Sequence, residues 1–341
     1  MGDGAKPAQQ RESPARRDLV DTFGRVHRDL RISVTDRCNF RCTYCMPEEG
    51  MKWLPKTEIL SFEEIERIAR VMVEHFGIDS IRLTGGEPTV RAHLPILVAK
   101  LAALPVDLAL TTNGATLRSA AHDLKAAGLQ RINISLDTFR ADRFLEITRR
   151  DELARVLDGI DAAIEAQLHP IKINVVVMRG VNDDELLDFA TFGREKNVEI
   201  RFIEFMPLEA GHWWSNESVV PFDEIVARVN EIYPCDPVAH GHEPAARFRY
   251  RDGHGSFGVI ASVTKAFCES CDRVRLTADG KFRNCLFALE EHDLRAALRQ
   301  GATDDEIARR IEQSVHEKWA GHQINNVHFI RPKRSMSQIG G

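Results

Sequence analysis

Leu30-Arg-Ile-Ser-Val-Thr35 alternates apolar and polar residues as a half-buried strand does. It runs straight into Asp36-Arg-Cys-Asn-Phe-Arg-Cys-Thr-Tyr-Cys-Met-Pro47, a loop that sets Cys38, Cys42 and Cys45 within eight residues. Three thiolates on one short loop can hold three irons of a cubane and leave the fourth iron open to a small molecule. The same spacing also fits a Cys42–Cys45 redox pair with Cys38 as a bystander, or part of a zinc site whose fourth ligand lies elsewhere.

Strand and helix patterns alternate beyond this loop. Strand-like runs at 80–84, 107–113, 130–137, 171–178 and 199–206 are separated by helical patterns near 62–75, 94–104, 116–127, 153–166 and 183–196, and a sixth helix follows near 222–229. Strands joined by such helices form right-handed βαβ units and a parallel sheet. Six units fit an α/β fold of the TIM kind, a barrel or partial barrel with functional groups at the C-terminal ends of its strands. Past residue 230 the pattern degrades into short strands, polar loops and two helical segments near 293–300 and 303–317, a smaller C-terminal region.

The phase inside the strands carries further information. Leu30, Ile32 and Val34 stand opposite Arg31, Ser33 and Thr35; Ile81 and Leu83 opposite Arg82 and Thr84; Leu108 and Leu110 opposite Thr111; Ile132, Ile134 and Leu136 opposite Asn133, Ser135 and Asp137; Ile171 and Ile173 opposite Lys172 and Asn174. A buried parallel strand is ordinarily apolar on both faces. One explanation is an antiparallel sheet with a wet side, although helical crossovers demand parallel neighbours. The other is a barrel whose lumen is a polar, ligand-filled cavity, in which Arg31, Arg82 and Lys172 converge as a pocket suited to phosphates.

The 341 residues are 43% hydrophobic and 28% charged, with a formal net charge of −5. That charge argues against broad capture of nucleic acid or of an anionic membrane. Residues 1–24 read as a disordered N-terminal tail, with no apolar stretch of a signal peptide among the first seventeen, and no apolar run is long enough to span a bilayer. A cytoplasmic protein is expected, in which seven cysteines serve metal or redox chemistry rather than disulfides.

The cysteines group as three, one and three. Cys268, Cys271 and Cys285 form a second triad, either three quarters of a zinc ribbon completed by Cys235 or a histidine such as His254, or the ligands of a second cluster. Arg273 and Arg275 beside it suit an anionic ligand. Thr84-Gly-Gly-Glu-Pro88 places two glycines at a strand's end, where a backbone can approach a ligand closely. Rossmann, Walker and nucleophile-elbow patterns are absent.

The cysteine loop and the Gly-Gly-Glu segment together resemble the radical S-adenosylmethionine (SAM) superfamily. More narrowly, Leu30 to Pro47, Leu83-Thr-Gly-Gly-Glu-Pro88, Ile200-Arg-Phe-Ile-Glu-Phe-Met-Pro207 and Cys268-x-x-Cys271-Asp-Arg-Val-Arg-Leu276 are similar to the GTP 3′,8-cyclase family of molybdenum-cofactor biosynthesis, from about Arg25 to the terminal Gly340-Gly341. The resemblance implies a partial (β/α)6 barrel over 25–230 and an auxiliary-cluster and GTP-binding region over 231–341, with the Gly-Gly tail reaching the active site. It implies two 4Fe-4S clusters, one on Cys38, Cys42 and Cys45 that chelates SAM and one on Cys268, Cys271 and Cys285 that touches the guanine of GTP. Tyr44, Gly86, Ser135 and Met206 match SAM-contacting positions. Arg31, Arg82, Thr111, Lys172, Arg273, Val274 and Arg275 match GTP-contacting positions, with Arg273 and Arg275 counted as catalytic beside the first cysteine triad.

The implied reaction uses one electron, delivered through the first cluster, to cleave SAM to methionine and a 5′-deoxyadenosyl radical, which takes hydrogen from ribose C3′ of GTP; the carbon radical attacks C8, and reduction with protonation gives 3′,8-cyclo-7,8-dihydro-GTP. A flavodoxin- or ferredoxin-type electron donor, a downstream cyclic pyranopterin monophosphate synthase, and a monomeric or homodimeric state are also implied. Two rivals remain: a radical SAM peptide maturase with an auxiliary cluster, which has no need of the inward cations, and a zinc-ribbon barrel that binds nucleic acid, which the net charge opposes.

Overall fold

The computed structural model describes residues 16–47, 51–208, 214–239, 241, 243–324 and 329–340. Strand and helix alternate through β1 (Asp29–Ser33), α1 (Phe62–Phe76), β2 (Ser80–Thr84), α2 (Leu94–Ala102), β3 (Asp107–Thr112), α3 (Leu117–Ala126), β4 (Arg131–Ser135), α4 (Ala141–Thr148), α5 (Leu153–Glu165), β5 (Ile171–Val177), α6 (Leu186–Lys196), β6 (Glu199–Glu204) and α7 (Phe222–Ile232). The chain then adds β7 (Cys235–Pro237), β8 (Ala246–Tyr250), β9 (Ser256–Ile260), β10 (Arg273–Leu276), β11 (Lys281–Arg283), β12 (His292–Asp293), α8 (Leu294–Arg299), α9 (Asp304–His316) and α10 (Met336–Ile339).

Among the described residues these strands form one sheet, in the order β12-β11-β10-β1-β2-β3-β4-β5-β6-β9-β8-β7. β1 to β6 pair in parallel with their sequence neighbours, as helical crossovers require. β10 joins β1 and β9 joins β6, also in parallel, and antiparallel β11–β12 and β8–β7 finish the edges. The segment after residue 230 thus extends the sheet on both flanks.

Register stacks the apolar residues in rows across the sheet, such as Ile32, Leu83, Leu110, Ile132 and Ile171, all buried in one core with the helices. Burying each such side chain contributes about 1.5–3 kcal/mol. Helix ends follow local chemistry: α1 starts at a capping box in which the Ser61 hydroxyl accepts from the Glu64 N–H and the Glu64 carboxylate accepts from the Ser61 N–H.

The structure differs from the sequence reading in two places. The tail read as disordered through residue 24 is ordered from Arg16 onward: Leu19 is buried, Val20 bridges Val26, and the Asp21 carboxylate accepts from the backbone of Phe23 and Arg25. Leu19 seats it on the core, and the Arg17 N–H donates to the His75 carbonyl; residues 1–15 lie outside the described set. The other difference is α4, an eight-residue helix that the strand and helix patterns did not include, with Phe144, Ile147 and Thr148 on its buried face.

Gly159 sits in α5 where a Cβ would stand 2.2 Å from the carbonyl oxygen of Gly114. Alanine in a helix interior normally gains about 1 kcal/mol over glycine. Here Gly159→Ala is expected to lose about 1–3 kcal/mol by forcing the backbones apart. A urea titration reads this as a lower midpoint at unchanged slope, and a raised midpoint would refute the close approach.

Candidate active site

One cavity collects both cysteine triads, enclosing about 1830 Å³ including the space open at its mouth. Cys38, Cys42 and Cys45 enter it from the loop after β1. That loop is held from three sides. The Arg41 and Thr43 N–H groups donate to the carbonyls of Thr148 and Ile147 at the end of α4, Phe40 meets Phe144 edge-on at 5.7 Å, and the Tyr44 hydroxyl donates to Asp137 Oδ2 at 2.5 Å. The glycines after β2 form the third support. The Gly86 and Glu87 N–H groups donate to the carbonyls of Thr35 and Arg37, and a Cβ on Gly86 would lie 2.4 Å from the Arg37 oxygen. The Gly-Gly pair therefore serves the approach of two protein backbones. Glu87 locks it, accepting from Thr89, the Thr112 hydroxyl and the Asn113 N–H.

The second triad enters from the opposite end. Arg273 pairs with Asp29 at the start of β1, so Cys271, two residues earlier, lies beyond the N-terminal end of β1, whereas Cys38 lies beyond its C-terminal end. Cys285 follows β11, which is antiparallel to β10 with Arg283 opposite Arg275, and so returns to the same end as Cys271. The fourth ligands weighed for a zinc ribbon are elsewhere. Cys235 lies in β7 at the far edge of the sheet, and His254 is exposed in the turn between β8 and β9. Among the described residues no three His, Cys, Asp or Glu side chains converge on a single metal position.

Between the triads the sheet presents cations. Arg275, Arg31 and Arg82 stand in register on neighbouring strands, with Arg273 one step away beside Asp29. All four guanidinium groups line the cavity, and the Nε atoms of Arg31, Arg82 and Arg275 are buried without a hydrogen-bond partner. Asp29, 3.9 Å from Arg31, is a counter-charge on this face. Burial, and then Arg82, push Arg31 well below its usual value; burial also lowers Arg82, and burial with Arg273 brings Arg275 down to about 10. Uncompensated like charges in a low-dielectric cavity are costly until an anion completes them.

The thiols respond to their two ends differently. Burial, then the Glu87 carboxylate, pushes Cys38 up to about 12; burial pushes Cys45 up to about 11 against hydrogen bonds from Ser337; and burial with the neighbouring thiols raises Cys42 well above the usual range. Such thiols ionise when a cationic group binds them, since a coordinating thiol is deprotonated outright. At the second end burial also raises Cys271, but Arg273 and Lys318 outweigh it and bring it to about 7.

Tyr44, Gly86, Ser135, Met206, Arg31, Arg82, Thr111, Arg273 and Arg275 all line the cavity with the six cysteines. Two positions fall outside it. Lys172 is buried with its ammonium 3.7 Å from Glu243, and Val274 points into the apolar core, being the outward residue between two inward arginines. At the chain's end Met336 and Ser337 line the cavity, and Gly340 packs on Ser33 and Thr84; Gly341 lies outside the described residues. Asp137, Asn174 and Arg201 line the wall but were not singled out as site residues. The first two were legible from strand phase, standing in step with Ser135 and Lys172. Burial raises Asp137 to about 6 despite the Tyr44 hydrogen bond.

The sequence profile of the radical SAM superfamily matches residues 32–193, and that of Molybdenum Cofactor Synthesis C matches 198–324. The GTP 3′,8-cyclase of Streptomyces coelicolor is 50% identical over 95% of this chain and 96% of its own, and that of Rhodopirellula baltica is 48% identical over 95% and 92%. Among solved structures, native anSMEcpe with bound AdoMet superposes with a TM-score of 0.60 at 16% identity, over 87% of this chain and 82% of that one, a likeness of fold. Among the described residues no helix is long and apolar enough to cross a membrane.

The clustered guanidinium groups, three of them with a buried Nε that lacks a partner, predict that inorganic triphosphate binds the isolated protein. Arg31→Ala should weaken that binding by about tenfold or more, the worth of one charged hydrogen bond. Isothermal calorimetry at fixed salt measures it, and equal affinities would remove Arg31 from the anion site.

Proposed function

The chain belongs to the GTP 3′,8-cyclase family of the radical SAM superfamily, whose enzymes carry a 4Fe-4S cluster and S-adenosylmethionine, and from that membership we propose how its own residues divide the reaction that opens molybdenum-cofactor biosynthesis. The reaction is conversion of GTP to (8S)-3′,8-cyclo-7,8-dihydroguanosine 5′-triphosphate. The observation that carries the assignment is the two-ended cavity, with a cysteine triad at each end and, between them, a row of arginines whose Nε atoms are buried without a partner.

Cys38, Cys42 and Cys45 hold the first 4Fe-4S cluster, and Cys268, Cys271 and Cys285 a second. The donor sets fit: each has three buried or half-buried thiols on one cavity and no fourth cysteine within reach of it. Bound there, the first cluster supplies reductive cleavage of SAM to methionine and a 5′-deoxyadenosyl radical.

The protein's part is positioning and exclusion. Arg31, Arg82 and Arg275 grip the triphosphate, and Arg273, closest of the four to the second triad in the register, orients the substrate toward that end. Thr111 adds a hydroxyl on the same face. Tyr44, Gly86, Ser135 and Met206 line the first end, where SAM is held, and Asp137 steadies Tyr44. Holding the SAM carbon against ribose C3′ converts an encounter into an intramolecular hydrogen transfer. Phe205, Leu208, Ile260 and Phe287 wall the cavity with apolar surface that keeps water from the radical. Lys172 acts on GTP only if its ammonium leaves Glu243, and Val274 contributes through its main chain. A flavodoxin- or ferredoxin-type protein supplies electrons, and a cyclic pyranopterin monophosphate synthase consumes the product.

Anaerobically reconstituted protein is expected to carry two cubanes by iron and sulfide analysis, and a single cubane would remove the second cluster. Supplied with GTP, SAM and a reductant, it should yield 5′-deoxyadenosine together with the cyclised nucleotide. Arg275→Ala should lower nucleotide product by roughly tenfold to hundredfold, the worth of its charged hydrogen bonds, while SAM cleavage persists. Chromatographic quantification of both products decides this, and undiminished cyclisation would refute the role of Arg275.

A further inference from the structure

Lys318 follows α9, is 4% exposed, and stands against the second cysteine triad without lining the cavity. Its Nζ lies 2.7 Å from His27 Nε2 and 3.0 Å from the Arg273 carbonyl oxygen; it reaches Cys271 at the carbonyl, 3.4 Å, and at Sγ, 3.9 Å. The histidine's tautomer follows from its other nitrogen. His27 Nδ1 is 3.2 Å from the Leu19 carbonyl, which can only accept, so Nδ1 carries the proton and Nε2 offers its lone pair to Lys318. Acceptors in three directions (the imidazole, the Arg273 carbonyl and Cys271) call for three N–H donors. Only the protonated amine has them.

The surroundings hold this geometry still. Asp21 Oδ2 sits 3.7 Å from His27 Nε2 and is itself bound by Arg25. Arg25 in turn donates to the carbonyls of Cys268, Trp319 and Ala320 at 2.8, 2.6 and 2.7 Å. The ordered segment at 16–28 and the turn at 318–320 thus cradle the Cys268–Cys271 loop from behind. Burial and the nearby ammonium push His27 down to about 4, which keeps it a neutral acceptor.

We propose that Lys318 is a positioning residue for the second cluster: its ammonium, aimed at Cys271 Sγ by His27 and the Arg273 carbonyl, offsets the negative charge on that thiolate and raises the reduction potential of the group the triad holds. The inference rests on reading Cys268, Cys271 and Cys285 as cluster ligands. The physical reason is general, since hydrogen bonds to the sulfurs and local charge set the potential of an iron-sulfur centre, and a fixed cation favours the form with the extra electron.

The test is an anaerobic redox titration of the full reconstituted chain, with both clusters followed by electron paramagnetic resonance. In Lys318→Met the second cluster should show an about tenfold lower ratio of reduced to oxidised form at a fixed potential, a downward shift of about 59 mV for a one-electron couple. The first cluster's midpoint and the iron content should match wild type. Lys318→Arg, which keeps the charge, should recover most of the shift. Two cubanes and an unmoved second midpoint in Lys318→Met overturn this inference alone. One cubane in the wild type overturns the cluster reading and this inference with it. If Lys318→Met loads only the first cluster, His27→Leu, which leaves the ammonium unaimed, should shift the second midpoint the same way by a smaller amount, and no shift there overturns the proposal.

Discussion

Four guanidinium groups on one face of a parallel sheet, those of Arg273 and Arg275 buried and those of Arg31 and Arg82 half-buried, are the constraint around which the rest is arranged. Arg275, Arg31 and Arg82 lie on adjacent strands in register, Arg273 lies beside them, and Asp29 alone among their strand neighbours offsets them directly. Removing several like charges from water costs several kcal/mol for each ion that goes unpaired. The apolar rows on the other face supply the stability that tolerates it: Leu30, Ile32, Ile81, Leu83 and their partners bury against the helices with essentially no exposed surface. The sheet therefore works as a two-sided plate, with cohesion on the helical side and an anion-seeking field on the cavity side. That division explains why strands buried on both faces alternate instead of reading as continuous apolar runs.

The same plate sets the distance between the two cysteine triads. A loop leaving the C-terminal end of β1 and a loop entering the N-terminal end of its parallel neighbour β10 must lie at opposite ends of the strands. An antiparallel β10 would have brought both triads to one end. The loops themselves are built from carboxylates that accept several backbone donors. Glu87 ties the Gly-Gly turn to β3, and Glu204 ties the end of β6 to Phe222, Val263 and Thr264. Loops supported in this way lose little entropy when a ligand binds.

Much of the site was legible because cavity-facing chemistry follows a period of two. Arg31, Arg82, Thr111 and Ser135 could be placed on one wall by counting, and Asp137 and Asn174 belong to the same count. The count failed at Lys172, since phase gives the direction a side chain leaves the strand but not where a long flexible chain ends, and Glu243 lies far away in sequence. Short elements were also hidden. The eight residues of α4 support the first cysteine loop through two hydrogen bonds, yet span little more than two turns, shorter than the helical runs that stand out in the sequence. Leu19 and Val20, in a charged tail, were masked by their neighbours.

Cysteine spacing and strand phase, both local properties, pointed to a parallel α/β sheet with a polar cavity face and two cysteine triads, while the family came from the resemblance of whole motifs to known sequences. What only the tertiary structure decided was long-range pairing: β10 beside β1, β9 beside β6, Gly86 against the carbonyl of Arg37, and Lys318 against Cys271 through His27. The reason is physical. A strand of four or five residues carries no record of its partner, and a buried ammonium declares its role only when the folded chain shows which acceptors surround it.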